Sequence, residues 1–211
     1  MSHPPPASTD SSDSTSAKNA RVASASRANR MEWTASIMRS IFTVGHSTHT
    51  LEALVALLRG HGIELLADVR AYPRSRRNPQ FNSEVLAAEL TGYRHFRALG
   101  GRRTPQPESA NRGWDQDAFR AYADHALTPE FRAAFDELAR LAEVKPTAVM
   151  CAESLWWQCH RRLIADRLAT AGWTVDHVGP DGALTEHTLP PFAQPQPDGT
   201  VLYPPPAQLF A

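Results

Sequence analysis

Ile41-Phe42-Thr43-Val44-Gly45-His46-Ser47-Thr48, followed by Thr50-Leu51-Glu52-Ala53-Leu54-Val55-Ala56-Leu57-Leu58 and then by Ile63 to Val69, is the stretch that decides the fold. The first run is β-branched and aromatic and stops at a glycine. The second places its leucines at helical spacing, and the third returns to an apolar strand. His61-Gly62 between them is a helix C-cap signal. Two strands joined by one helix predict a βαβ unit, and hence an α/β domain with a mostly parallel sheet.

The pattern continues outward. Arg70 to Phe81 holds two prolines and four arginines and reads as a long irregular loop. Asn82-Ser83-Glu84 is a plausible N-cap leading into Val85, Leu86, Ala88 and Leu90, and Tyr93 to Phe96 reads as a short strand. Leu99 to Arg103 reads as a loop, and Arg102 to Gly113 is polar and turn-rich. Asp115 to His125 and Pro129 to Ala142 carry apolar residues three and four apart and predict two packed helices. Pro146 to Met150, Cys159 to Ala171 and Trp173 to Val178 predict strand, helix and strand. The expected fold is three-layer α/β/α with a mostly parallel, Rossmann-like central sheet, in which ligands bind at the carboxyl ends of the strands.

The chain has 211 residues, 42% hydrophobic and 21% charged, which suits one globular core and excludes collagenous, coiled-coil and fully disordered classes. Residues 1–37 are Ser/Ala/Pro-rich and read as a disordered tail, with Met31 and Met38 both candidate starts. Residues 38–189 read as the single domain. Residues 190–211, with Pro190, Pro191, Pro195, Pro197 and Pro204 to Pro206, read as an extended tail against the body. Lys+Arg and Asp+Glu each number 22, so there is no overall basic excess to draw the chain onto nucleic acid or membrane, and any anion site is local. Two cysteines without a secretory signal favour a reducing cytoplasm. No apolar run is long enough for a membrane span.

Three clusters stand at predicted strand ends. Gly45-His46-Ser47-Thr48 is either an ordinary cap, with Ser47, Thr48 or Thr50 closing the helix, or a turn whose free N–H groups receive an anion. Asp68 and Arg70, two residues apart at the end of a strand, share a face and can pair. The loop after them, with Arg74, Ser75, Arg76 and Arg77, is either a solvated charged loop or a bidentate holder of phosphate or carboxylate. Met150-Cys151-Ala152-Glu153 and Cys159-His160-Arg161-Arg162 form the third cluster. A thiol at a helix start beside His or Arg is a nucleophile, and a Glu nearby can act as general base or orient the His; the bland alternative is a pair of packed core thiols. Two thiols with seven residues between them match no common zinc knuckle, so no metal site is predicted. Trp156 and Trp157 serve as packing or as a stacking surface. No GxxxxGK[ST], GxGxxG or GxSxG occurs, so the common nucleotide and hydrolase motifs are absent and the sequence leaves the cofactor open.

Val44-Gly45-His46-Ser47, Asp68-Val69-Arg70, Pro73-Arg74-Ser75-Arg76, Phe81, Leu99-Gly100-Gly101, Met150-Cys151-Ala152-Glu153 and Cys159-His160-Arg161 together resemble the DUF488 family. The likeness runs from about residue 41 to 178. It implies an α/β domain of bacterial, cytoplasmic type and places Gly100 and Gly101 among the motif residues, without implying a reaction.

The residues suggest an enzyme for a small anionic, phosphorylated or nucleotide-like substrate. Glu153, Cys159, His160 and His46 would carry the chemistry. Gly45, Ser47, Asp68, Arg70, Arg74, Ser75, Arg76, Gly100, Gly101, Cys151 and Arg161 would bind the substrate. The alternatives are a nucleic-acid-binding or nucleic-acid-processing protein, with the Arg70 to Arg77 loop and Arg102, Arg103 and Arg112 tracking a backbone and Trp156 or Trp157 stacking a base, or a non-catalytic module whose motif residues form a structural polar network.

Overall fold

The computed structural model describes residues 40–205. Residues 1–37, with the candidate start at Met31, and the candidate start at Met38 lie outside the described residues, as does everything past Pro205.

In chain order the elements are β1 (Ser40–Gly45), α1 (Leu51–Gly60), β2 (Leu65–Asp68), α2 (Ser83–Glu89), β3 (Tyr93–His95), α3 (Asp117–Ala126), α4 (Pro129–Ala142), β4 (Thr147–Cys151), α5 (Arg161–Thr170), β5 (Thr174–Val178), β6 (Leu184–Glu186), β7 (Gln194–Pro195) and β8 (Val201–Leu202). Strands β1 to β6 form one sheet in the order β3-β2-β4-β1-β5-β6, with only the β5–β6 pair antiparallel. β1 and β2 are parallel, but they flank β4 rather than each other.

Side chains alternate across the sheet, as the two-residue strand period requires. Phe42, Val44, Leu66, Ala148 and Met150 face the side covered by α1 and α2. Ile41, Ala67, Val149 and Cys151 face the side covered by α3, α4 and α5, where Phe119, Tyr122, Phe131, Leu138, Leu163 and Ile164 complete the larger core. Helices on both faces give the three-layer α/β/α arrangement. Register brings Asp68 opposite Met150 and Gly45 opposite Cys151, so the ends of β2, β4 and β1 finish level with one another.

Local signals act mostly as their chemistry dictates. Thr50 caps α1 by accepting from the Ala53 N–H, and Gly62 follows the helix at φ 65°, where a side chain would be strained. Two expectations shift. Asn82 occupies the N-cap position of α2 but turns its Oδ1 to the Ser75 N–H, 2.7 Å away, so it fastens the arginine loop instead of the helix. The last long helix starts at Arg161, not Cys159. A 3₁₀ turn over Trp156–Gln158 delivers Cys159 in extended conformation (φ −122°, ψ 149°), and His160 is the cap residue.

The Pro-rich stretch after 190 packs against the body, with more structure than an extended tail. β7 and β8 form a hairpin, and Val201 and Tyr203 are buried in the larger core. No helix among the described residues is long and apolar enough to cross a membrane.

Candidate active site

Behind the strand ends lies a framework that the sequence read as ligand-binding. Arg70 donates from Nε to Asp68 Oδ1 at 2.8 Å and from Nη2 to Asp68 Oδ2 at 2.5 Å, a bidentate pair that is almost fully buried. The same Nη2 donates to the Phe81 carbonyl, and Tyr93 donates its hydroxyl to Asp68 Oδ2. The predicted pair is therefore formed, and it ties the arginine loop to the end of β2. Asp68 spends its acceptors inside the protein. Arg70 turns Nη1 toward His46 Nε2, 3.3 Å away, and the residue lines the cavity described below.

His46 is closed to proton transfer. Its Nδ1 lies 3.1 Å from the Ser47 carbonyl, which only accepts, and its Nε2 lies 3.3 Å from Arg70 Nη1, which only donates. Both ring nitrogens are thus committed in the neutral form, and burial together with the Arg70 charge pushes the pKa down to about 4. The ring also stacks on Phe81 at 4.2 Å. The role expected of His46 as a chemical group is replaced by a supporting one.

Gly45 and Ser47 support the same frame. The His46 and Ser47 N–H groups donate to the carbonyls of Cys151 and Ala152 at 3.0 Å, extending the β1–β4 pairing past the strands, so these amides have no capacity left for an anion. A Cβ on Gly45 would sit 1.9 Å from the Glu153 carbonyl oxygen, which explains the glycine. Arg161, 1% exposed, donates from Nη2 to that same carbonyl at 2.5 Å and from Nη1 toward Thr43 Oγ1 at 3.5 Å. It braces the loop after β4 and is not available to clamp a substrate. Ser75 accepts from the Asn78 N–H within its turn, and Arg76 points outward; neither lines the cavity.

The open part of the site is a cavity of about 330 Å³ at the carboxyl ends of β2 and β4. Cys151, Glu153, Cys159, His160, Gly101, Arg70 and Arg74 line it, as the sequence reading proposed; Gly100 sits just behind, accepting from Arg103. Tyr72, Arg102, Gln116, Phe119 and Gln158 complete the wall. Of these, Arg102 was the recoverable one, since it follows the Gly100-Gly101 turn directly. Its guanidinium lies over the Tyr72 ring and has no ion-pair partner among the described residues. Arg74 pairs with Glu84 at the surface.

At the floor, Cys159 Sγ is 3.5 Å and Cys151 Sγ 3.8 Å from His160 Nδ1. His160 Nε2 lies 3.0 Å from the Val69 carbonyl. A carbonyl accepts only, so Nε2 carries a proton and Nδ1 faces the sulfurs. The group that orients His160 is therefore Val69, not Glu153, whose carboxylate is exposed and unpaired among the described residues. The hydrogen bond from the Cys151 thiol, opposed by burial and helped by His160 and Arg161, holds the Cys159 thiol well below its ordinary pKa; the same bond, with burial, pushes Cys151 up. Spacing in sequence suggested no metal site, yet in space these three ligand atoms lie within 4.8 Å of one another. A strand end and an extended residue before a helix bring together what a knuckle motif would hold locally.

Of the residues read as a nucleic-acid track, Arg103 donates to the carbonyls of Gly100 and Ala98, Arg112 stands 3.8 Å from Glu108 in an exposed pair and Trp156 stacks on His177 at 3.9 Å, while Trp157, Arg76 and Arg77 are exposed and Arg102 lines the cavity.

No curated protein and no solved structure matches the chain. A family model, described as Domain of unknown function DUF488, matches residues 50–168, which takes in the arginine loop, the Gly100-Gly101 turn and both cysteine motifs but begins after Gly45-His46-Ser47. That span is more than half of the chain, and the protein belongs to the DUF488 family.

Proposed function

We propose that this protein is an enzyme that binds a small anionic substrate, of phosphorylated or nucleotide-like kind, in the cavity at the ends of β2 and β4. The observation that carries this reading is that one cavity is lined both by cationic side chains with donors to spare, Arg102 and Arg70, and by the Cys151, Cys159 and His160 trio. The first set supplies bidentate anion recognition and the second supplies reactive groups at fixed distance. Arg74 adds positive charge at the rim. His160 can take or give a proton at Nδ1, and the exposed Glu153 carboxylate can accept one from water or a substrate hydroxyl. Cys159 offers its electron pair to an electrophilic substrate atom or to a metal ion. A reducing compartment would keep both thiols in the free state that this chemistry needs.

The test is a thermal-shift screen of the reduced full-length protein against inorganic phosphate, phosphorylated metabolites, nucleotides and short oligonucleotides. A true ligand at about a hundredfold over its Kd raises the melting temperature by roughly 5–10 °C, and Arg102→Ala removes most of that shift. A shift given only by oligonucleotides and fading as salt rises would replace this reading with a nucleic-acid one. No shift from any anion, or a shift indifferent to Arg102→Ala, would overturn it.

A further inference from the structure

We propose that Cys151, Cys159 and His160 are the three protein ligands of a zinc site whose fourth position opens into the cavity. The inference rests on the reading of that cavity as the functional site and names what its floor holds.

Geometry is the first support. Zinc binds thiolate sulfur at about 2.3 Å and imidazole nitrogen at about 2.0–2.1 Å, and a tetrahedral angle between those bonds sets sulfur and nitrogen roughly 3.6 Å apart. The two sulfur-to-Nδ1 separations are 3.5 and 3.8 Å, and all three atoms fall within 4.8 Å of one another. The same angle sets two zinc-bound sulfurs about 3.8 Å apart, so the sulfurs need move by at most about 1 Å to complete the set around one centre.

The surroundings fit as well. Metal-bound histidine characteristically donates its other ring N–H to a carbonyl or carboxylate, which fixes the tautomer and the ring plane. His160 does this through Nε2 to Val69. Its ring is held between Tyr122, with centroids 4.9 Å apart, and Gly101, where a Cβ would lie 2.3 Å from Nδ1. The ligand nitrogen is therefore aimed before any metal arrives. Two thiolates balance the dication, so the loaded centre is neutral where Cys151 and Cys159 are 7% and 3% exposed. Soft sulfur ligands select zinc over magnesium or calcium. Two cysteines, one histidine and an open position form a donor set of the catalytic rather than the structural type.

The experiment uses reduced, chelator-treated full-length protein titrated with Co2+, a spectroscopic stand-in for zinc. The proposal expects one Co2+ per chain, tetrahedral visible bands, a sulfur-to-cobalt charge-transfer band, and loss of both on adding equimolar Zn2+. Cys151→Ser and Cys159→Ser should each lower the charge-transfer band by roughly half, since each leaves one of two thiolates. Gly101→Ala, which displaces the His160 ring, should weaken affinity about 10- to 100-fold, the size of effect seen when the orienting shell is disturbed. Circular dichroism identifies any variant that has failed to fold, and the wild-type spectrum decides the matter without the variants. The proposal is overturned if the folded wild-type protein gives no charge-transfer band, or if both thiols react with a thiol reagent as fast with Co2+ as without. The phosphate thermal shift, repeated on the metal-free protein, separates the two readings. A shift that persists while cobalt fails to bind leaves the anion cavity standing and removes only the metal.

Discussion

Gly45 shows how close backbones come around the site. Adding a methyl at Gly45 would press it against the Glu153 carbonyl, a backbone atom already fixed by Arg161, so nothing nearby can yield. Gly45→Ala should destabilise the fold by about 1–3 kcal/mol, read from urea denaturation midpoints. Asp68→Asn should cost more, about 3–5 kcal/mol by the same measurement, because it leaves the buried Arg70 charge without its counterion. The Asp68–Arg70 pair was legible because residues two apart on a strand share a face. The work of Arg161 was not, since its acceptors are backbone carbonyls, Glu153 and Ser154, that no side-chain pattern announces. His46 misled for a related reason. A histidine after a strand looks like chemistry until its two ring nitrogens are traced to Ser47 and Arg70.

The long elements follow their caps and periodicity. Thr128 accepts from the Phe131 N–H and Pro129 stands in the first turn, so α4 begins where the sequence says it should. Thr128→Ala should lower stability by about 1 kcal/mol, visible as a small drop in denaturation midpoint with an unchanged slope. Short elements were hidden. β6 is exposed along its whole length and has no apolar face to reveal it, and β7 and β8 contribute two residues each. They exist through pairing with the neighbouring strand across a short turn, β6 with β5 and β7 with β8, and segments of two or three residues are too short to show a period. A different limit applied to the cysteines. Their spacing along the chain gave no warning that β4 and the turn before α5 would bring them onto one imidazole.

Through the interior of the whole molecule runs a chain of buried hydrogen bonds with one direction. Arg161 donates toward Thr43, whose hydroxyl lies 2.7 Å from His177 Nδ1. His177 Nε2 is 3.0 Å from His187 Nδ1, and His187 Nε2 is 2.7 Å from Asp166. Tyr203 closes the chain by donating to the other Asp166 oxygen at 2.6 Å. His177 is neutral in this scheme, with one donor and one acceptor nitrogen. Burial, with His187, Arg161 and Arg162 nearby, pushes the His177 pKa down to about 3. The unfolded chain binds that proton near pH 6.5 and the folded one does not, so stability from His177 is whole above pH 6.5 and lost as pH falls toward 3. Denaturation curves should show about 2 kcal/mol lost from this group between pH 6.5 and 5, and His177→Gln should flatten that part of the slope. Tyr203→Phe leaves a buried carboxylate oxygen without its donor and should cost about 1–3 kcal/mol.

Tyr203 also has a consequence in time. A ribosome makes it 37 residues after Asp166, so during synthesis α5 is complete while one oxygen of its buried carboxylate still waits for a partner. That donor arrives only with the last hairpin of the described residues, so a nascent chain, or one trimmed before Tyr203, carries every cysteine, histidine and arginine of the cavity while a buried carboxylate in the interior is still short of a partner. The order of synthesis thus completes the buried hydrogen-bond chain only after the residues of the cavity have been made.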